Sequence, residues 1–137
     1  MAEPENLVVS RIGNAEAIRE HFGHWPSFHD AEITRVVFDA NPGYHASVTF
    51  FITVSATYTH VDDRGHHKQT KQCDIELQFV GIKELEVDYF GHQNVIFELL
   101  LEEQGSDIKC TFDASVGMDA FIVAEEVRVA GLTPRKQ

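Results

Sequence analysis

The sequence predicts a mainly β protein on the α+β border: about seven antiparallel strands in a sandwich or strongly curved sheet, with one short N-terminal helix. Three observations carry this. Residues 46–59 alternate apolar and polar side chains almost perfectly. Similar alternating segments recur to residue 130, punctuated by turn signals about every ten residues. One stretch only, 14–23, has the spacing and the end residues of a helix. A chain of 137 residues fits a single domain, since two cores of half that size would each be marginal.

The elements follow in order. Residues 1–12 read as a loose arm, with a short extended piece at Leu7-Val8-Val9. Asn14 suits a helix N-cap, Glu16 the first turn and Gly23 the position after the last turn, so the helix spans 14–22. Its Ala15, Ile18 and Phe22 share one face and should dock on the sheet. Trp25-Pro26 ends it, because a residue before proline is pushed out of the α region. A strand over 31–39 leads to the turn Asn41-Pro42-Gly43.

In the long alternating strand, Val48, Phe50, Ile52 and Val54 face one way, and Thr49, Phe51, Thr53 and Ser55 the other. Phe51 is the one large apolar residue on that polar face, so it either pairs across strands or contacts a partner. A polar loop over 60–67 and a return strand over 70–80 complete the hairpin, with Asp74 and Glu76 on its polar side. Gly81 should mark a bend or a crossing between sheets. Glu84, Glu86 and Asp88 then line one side of a short strand. Residues 95–101, almost wholly apolar, suggest a central strand covered on both faces. Strands over 107–113 and 121–129 and a frayed tail over 131–137 finish the chain. The ten phenylalanines should supply much of the core volume.

Charge narrows the function. Residues 74–126 hold thirteen acids against Lys83 and Lys109, so this segment carries the whole net charge of −11. Such a surface repels nucleic acid and anionic membranes and attracts a basic protein. The acidic N-terminus is not read as a signal peptide, and no apolar run is long enough to cross a bilayer; the expected location is the cytoplasm. Cys73 and Cys110 lack metal-type spacing and read as reduced core thiols there, although a cross-strand disulfide stays open if the chain is exported.

One segment stands apart: Phe22-Gly23-His24-Trp25-Pro26-Ser27-Phe28-His29-Asp30-Ala31-Glu32-Ile33. It resembles the opening motif of a bacterial immunity-protein family of polymorphic toxin systems, immunity protein fifty. Phe90-Gly91-His92-Gln93-Asn94-Val95-Ile96 resembles that family's F-x-H-Q-N-V-I step, and Val116-Gly117-Met118-Asp119-Ala120 its G-x-D-A/G turn. The matches run from about residue 20 to 130. The resemblance implies a cytoplasmic, non-enzymatic protein that neutralises a cognate toxin by binding it, and it carries no catalytic residues.

The residues themselves leave alternatives. His29, Asp30 and Glu32, with His21 and His24 nearby, invite an enzyme or metal-site reading. That reading is disfavoured because His29 and Asp30, entering a strand, would point to opposite faces. A structural role for Trp25, Pro26, Phe28, His29 and Asp30 at a loop-to-strand corner is preferred, with Asn94 as a backbone cap or left-handed turn residue. No phosphate loop, Cys-x-x-Cys or nucleophile–base pair is present, so neither a cofactor nor a resident metal is expected. The favoured partner surface is acidic, comprising Asp74, Glu76, Glu84, Glu86 and Asp88, with an exposed aromatic such as Phe51 or Tyr89 as an anchor. A homodimer is the remaining alternative.

Overall fold

The computed structural model describes residues 7–62 and 65–135, with side chains described over 8–55 and 72–135. A 3₁₀ turn, Leu7–Arg11, and helix α1, Ala15–Phe22, precede six strands: β1 Glu32–Asp39, β2 Ser47–Asp62, β3 Gly65–Asp88, β4 Val95–Gln104, β5 Asp107–Val116 and β6 Asp119–Pro134. The strands form one antiparallel sheet curled into a closed barrel in the order β1-β2-β3-β6-β5-β4. The seam is narrow, because β1 meets β4 at the single pair Glu32–Val95.

The expected mainly β, strongly curved architecture is what forms, with six strands where the sequence suggested seven. The difference lies at Gly81. Segments 70–80 and 84–89 are not separate strands but parts of β3, joined through a bulge against β6. Gly81 takes φ 75°, and a side chain there would run into Glu125. Gly81 thus marks the bend expected of it, within one strand instead of between two.

Other boundaries shift for physical reasons. The hairpin over 60–67 is not an open loop, since pairing continues from His60–His67 to Asp62–Gly65. Its tip, and the side chains of His66 and His67, lie outside the described residues. The arm is not loose where it is described: Val8, Val9 and Ile12 are buried in the core cluster. Residues 1–6 lie outside the described residues. The tail does not fray at 131, because β6 pairs with β3 as far as Pro134–Cys73. Asn14 precedes α1 but makes no side-chain cap; it is left-handed at φ 62°, and its amide donates to the Val129 carbonyl. Gly23 closes the helix as expected, at φ 84° with its N–H on the Arg19 carbonyl.

Inside the barrel, alternate residues of β2 and β3 interlock. Val48, Phe50, Ile52 and Val54 face Phe79, Leu77, Ile75 and Cys73 in register, and all are buried. Phe50 stacks edge-on to Phe79 at 5.6 Å and tilted to Phe112 at 4.8 Å. Together with Phe28 these are the largest fully buried side chains, whereas Phe38, Phe90 and Phe97 are more than half exposed. The phenylalanines therefore divide between core and surface. Nor is β4 covered on both faces: only Ile96 and Leu101 in it are buried, while Phe97, Glu98 and Leu100 look outward.

Asp74 links the two ends of the fold. Arg135 Nε donates to both carboxylate oxygens at 3.0 and 2.9 Å, and Thr53 Oγ1 donates at 2.8 Å. Partial burial pushes this carboxyl upward, but the Arg135 and Thr53 hydrogen bonds and the Arg135 charge outweigh it and hold the group below its usual 3.8. A lowered pKa adds stability above the unfolded value, which is lost as pH falls through the folded one. Asp74→Asn should thus be less stable at neutral pH by under about 1 kcal/mol, as fits a half-exposed pair. The difference should close in acid below 3.8. Urea midpoints of both proteins across that range provide the check.

Candidate functional site

The family-like segments, far apart in sequence, meet at one end of the barrel around Asn94. Its side chain is buried, 3% exposed. Asn94 Nδ2 donates to the Gly91 carbonyl at 2.9 Å and the Ile33 carbonyl at 3.3 Å. Its Oδ1 accepts from Gly91 N–H at 3.0 Å and Met118 N–H at 3.1 Å. One amide therefore ties β1, the β3–β4 loop and the β5–β6 turn. Gly117, at φ 81°, packs so closely there that a Cβ would fall on the Gln93 carbonyl oxygen.

The opening motif braces the same corner. Phe28 is fully buried, Pro26 is buried, and Trp25 packs on the core with its ring 5.5 Å from that of Phe28. Phe28 and Asp30 are left-handed at φ 64° and 67°, which makes the segment a turn instead of a strand. That overturns the expectation for His29 and Asp30: they do not point apart, and His29 Nε2 lies 3.5 Å from Asp30 Oδ1. His29 Nδ1 is 2.8 Å from the Phe97 carbonyl, bridging the turn to β4. The Asp30 backbone N–H donates to the Ile96 carbonyl, while its carboxylate is mostly exposed. Glu32 is separate from this pair, in the seam with Val95 and Thr53. Among the described residues, no three His, Cys, Asp or Glu converge as metal ligands.

The acidic residues assemble elsewhere, on the outer side of β3, β6, β5 and β4. Strand register sets them in three rows. The first runs Glu84, Val123, Lys109, Glu102, and the second Glu86, Phe121, Thr111, Leu100. In the third, Asp88 pairs with Asp119 and Glu98 with Asp113; Asp113 stands one step beyond the Phe112–Ala120 pair, opposite Asp119. Seven carboxylates thus share a face with one ammonium. That ammonium, Lys109, lies over the Phe121 ring at 5.4 Å. A shallow hollow of about 300 Å³ opens between Glu86, Asp88, Asp113, Asp119 and Phe121. Like charges opposed across strands repel, so this face sacrifices a little stability as it stands.

The other predicted residues lie apart from these rows. Asp74 is bound by Arg135, and Glu76 lies over Gly131, where a Cβ would meet its carboxylate. Phe51 is half-buried and paired in register with Arg35, whose guanidinium sits 4.9 Å from its ring centre. The structure thus brings Glu84, Glu86 and Asp88 together and leaves Asp74, Glu76 and Phe51 apart from them, Asp74 paired with Arg135. Missing from the sequence reading were Glu98, Glu102, Asp113 and Asp119 as members of the face, with Phe121 and Leu100 at its centre. The alternation of exposed Asp119 and half-buried Phe121 with buried Ala120 and Ile122 was the available signal.

Both cysteines are free and point into the core. Burial, helped by the Asp74 charge, pushes the Cys73 thiol up to about 11, and burial alone raises Cys110 further. Neither is a reactive thiolate. Also among the described residues, no helix is long and apolar enough to cross a membrane.

A family model described as Immunity protein 50 matches residues 14–135, a span that takes in all six strands and the Asn94 corner. No curated protein and no solved structure matches the chain. With nearly its whole length covered by that model, and its three motif segments joined at one corner of the barrel, the chain belongs to the Immunity protein 50 family.

Proposed function

We propose that this single-domain chain neutralises a cognate toxin by binding it in the cytoplasm, and that the outer face of β3, β6, β5 and β4 is the docking surface. The observation that carries the reading is the set of three register rows, seven carboxylates and one ammonium around Phe121 and Leu100. A face with seven carboxylates to one ammonium is complementary to a basic protein surface, even with Asp119 Oδ1 accepting from the Ala114 N–H, and its field speeds encounter. The same field disfavours nucleic acid and anionic membranes as partners. Family membership supports a binding protein in preference to an enzyme, and the His29–Asp30 pair, engaged with Phe97, serves as a brace. Two buried, unpaired thiols suit a reducing compartment.

The test is to read the genes that flank this one and co-express any toxin-like product with the chain. Growth should be restored, and the two proteins should co-elute as a complex whose mass is read by light scattering. Undiminished toxicity with no co-elution would remove the reading.

A further inference from the structure

Protein-binding surfaces combine charged rims with a few large anchors, and the acidic rows have such residues at their edge. Four large apolar side chains at the Asn94 end are left largely exposed: Tyr89 78%, Phe97 56%, Phe90 53% and Val116 48%, the Phe97 ring also meeting His29 edge-on at 5.5 Å. Tyr89 and Phe90 follow Asp88, the first member of the third row, and Phe97 precedes Glu98, its last. Val116 adjoins Gly117 in the turn that leads to Asp119.

These side chains are exposed but their backbones are fixed. Asn94 binds Gly91 and Met118, and the Phe97 carbonyl lies 2.8 Å from His29 Nδ1. Tyr89 is held at φ 65°, an uncommon conformation for an aromatic residue. Rigid exposed aromatics lose little conformational freedom on binding, which is what an anchor requires.

Resting on the docking reading above, we infer that Tyr89, Phe90 and Phe97 are the anchors that retain the toxin. The partner is a basic protein surface with apolar pockets beside its lysines or arginines, because the third row of carboxylates borders these rings. A second copy of this chain, itself at −11, would bring like-charged rows together at this end. Labour is divided between the two groups. Carboxylates govern association, and aromatics govern dissociation.

The experiment compares Tyr89→Ala/Phe90→Ala and, separately, Phe97→Ala with wild type against the immobilised toxin domain that the co-expression test identifies. The double variant should dissociate at least roughly tenfold faster, with its association rate within about twofold and its melting temperature unchanged. Phe97→Ala should shift dissociation in the same direction. Unchanged dissociation from a toxin that wild type binds would overturn the anchors while leaving the docking reading in place. Overturning them equally would be a wild-type dimer that the double variant converts to monomer, since that end would then be a self-association surface. Wild type that binds no toxin would remove the docking reading, and the anchors with it.

Discussion

Asn94→Ala is expected to lower the unfolding free energy by roughly 3–5 kcal/mol, read from the urea midpoint at unchanged slope. The substitution strips two backbone N–H groups, of Gly91 and Met118, of their acceptor, and two carbonyls, of Ile33 and Gly91, of a donor. The buried Met118 N–H left without a partner costs on the order of 1–3 kcal/mol; the Gly91 groups, open to water, cost less, and the lost packing of the side chain adds the rest. Water cannot easily replace the amide, because the site is 3% exposed and Met118 beside it is 2% exposed. Asn94→Asp keeps the acceptor oxygen but aims a second one at the Ile33 and Gly91 carbonyls, so it should be unstable at neutral pH and partly recovered in acid. A loss under about 1 kcal/mol for the alanine variant would mean that the corner is held by packing alone.

Reversing Glu84, Glu86 and Asp88 together to lysine should leave stability unchanged or slightly improved, while slowing toxin association at low ionic strength at least roughly tenfold. Folding gains because Asp88 opposes Asp119 in register, and a lysine there relieves repulsion. Binding loses because three reversals remove six charge units from one edge of the face, out of a net −11. A variant that is more stable and yet a poorer binder marks residues kept for recognition in preference to folding. The matched control is Asp74→Lys with Glu76→Lys, which breaks the Arg135–Asp74 pair away from the rows; it should cost stability without slowing association.

Much of the barrel was legible because alternation survives in a curved sheet: one side of every strand must fill the interior whatever the closure. What local patterning could not decide was whether Gly81 ends a strand or bends it, since both need the same φ. Residues 95–101 misled for a related reason. An apolar run reads as doubly covered, yet Phe97 and Leu100 lie on the outside. The localisation of charge was plain in the sequence, but its arrangement was not. Register across β6 and β5 depends on the turn at Gly117, and through it Asp113 and Asp119 join Asp88. The same dependence on long-range pairing removed Asp74 from the free acids, its partner Arg135 lying 61 residues away. His29 and Asp30 escaped because strand geometry was assumed where two left-handed residues make a turn.

The central claim is that the acidic rows of β3, β6, β5 and β4 face the toxin. Its most direct test is the association rate of wild type and of the Glu84→Lys/Glu86→Lys/Asp88→Lys variant, measured by stopped flow over a series of salt concentrations. Wild type should associate fast at low salt and slow steeply as salt rises, while the variant starts slower and shows a shallower dependence. Superimposable rates for the two proteins at every salt concentration would contradict the account.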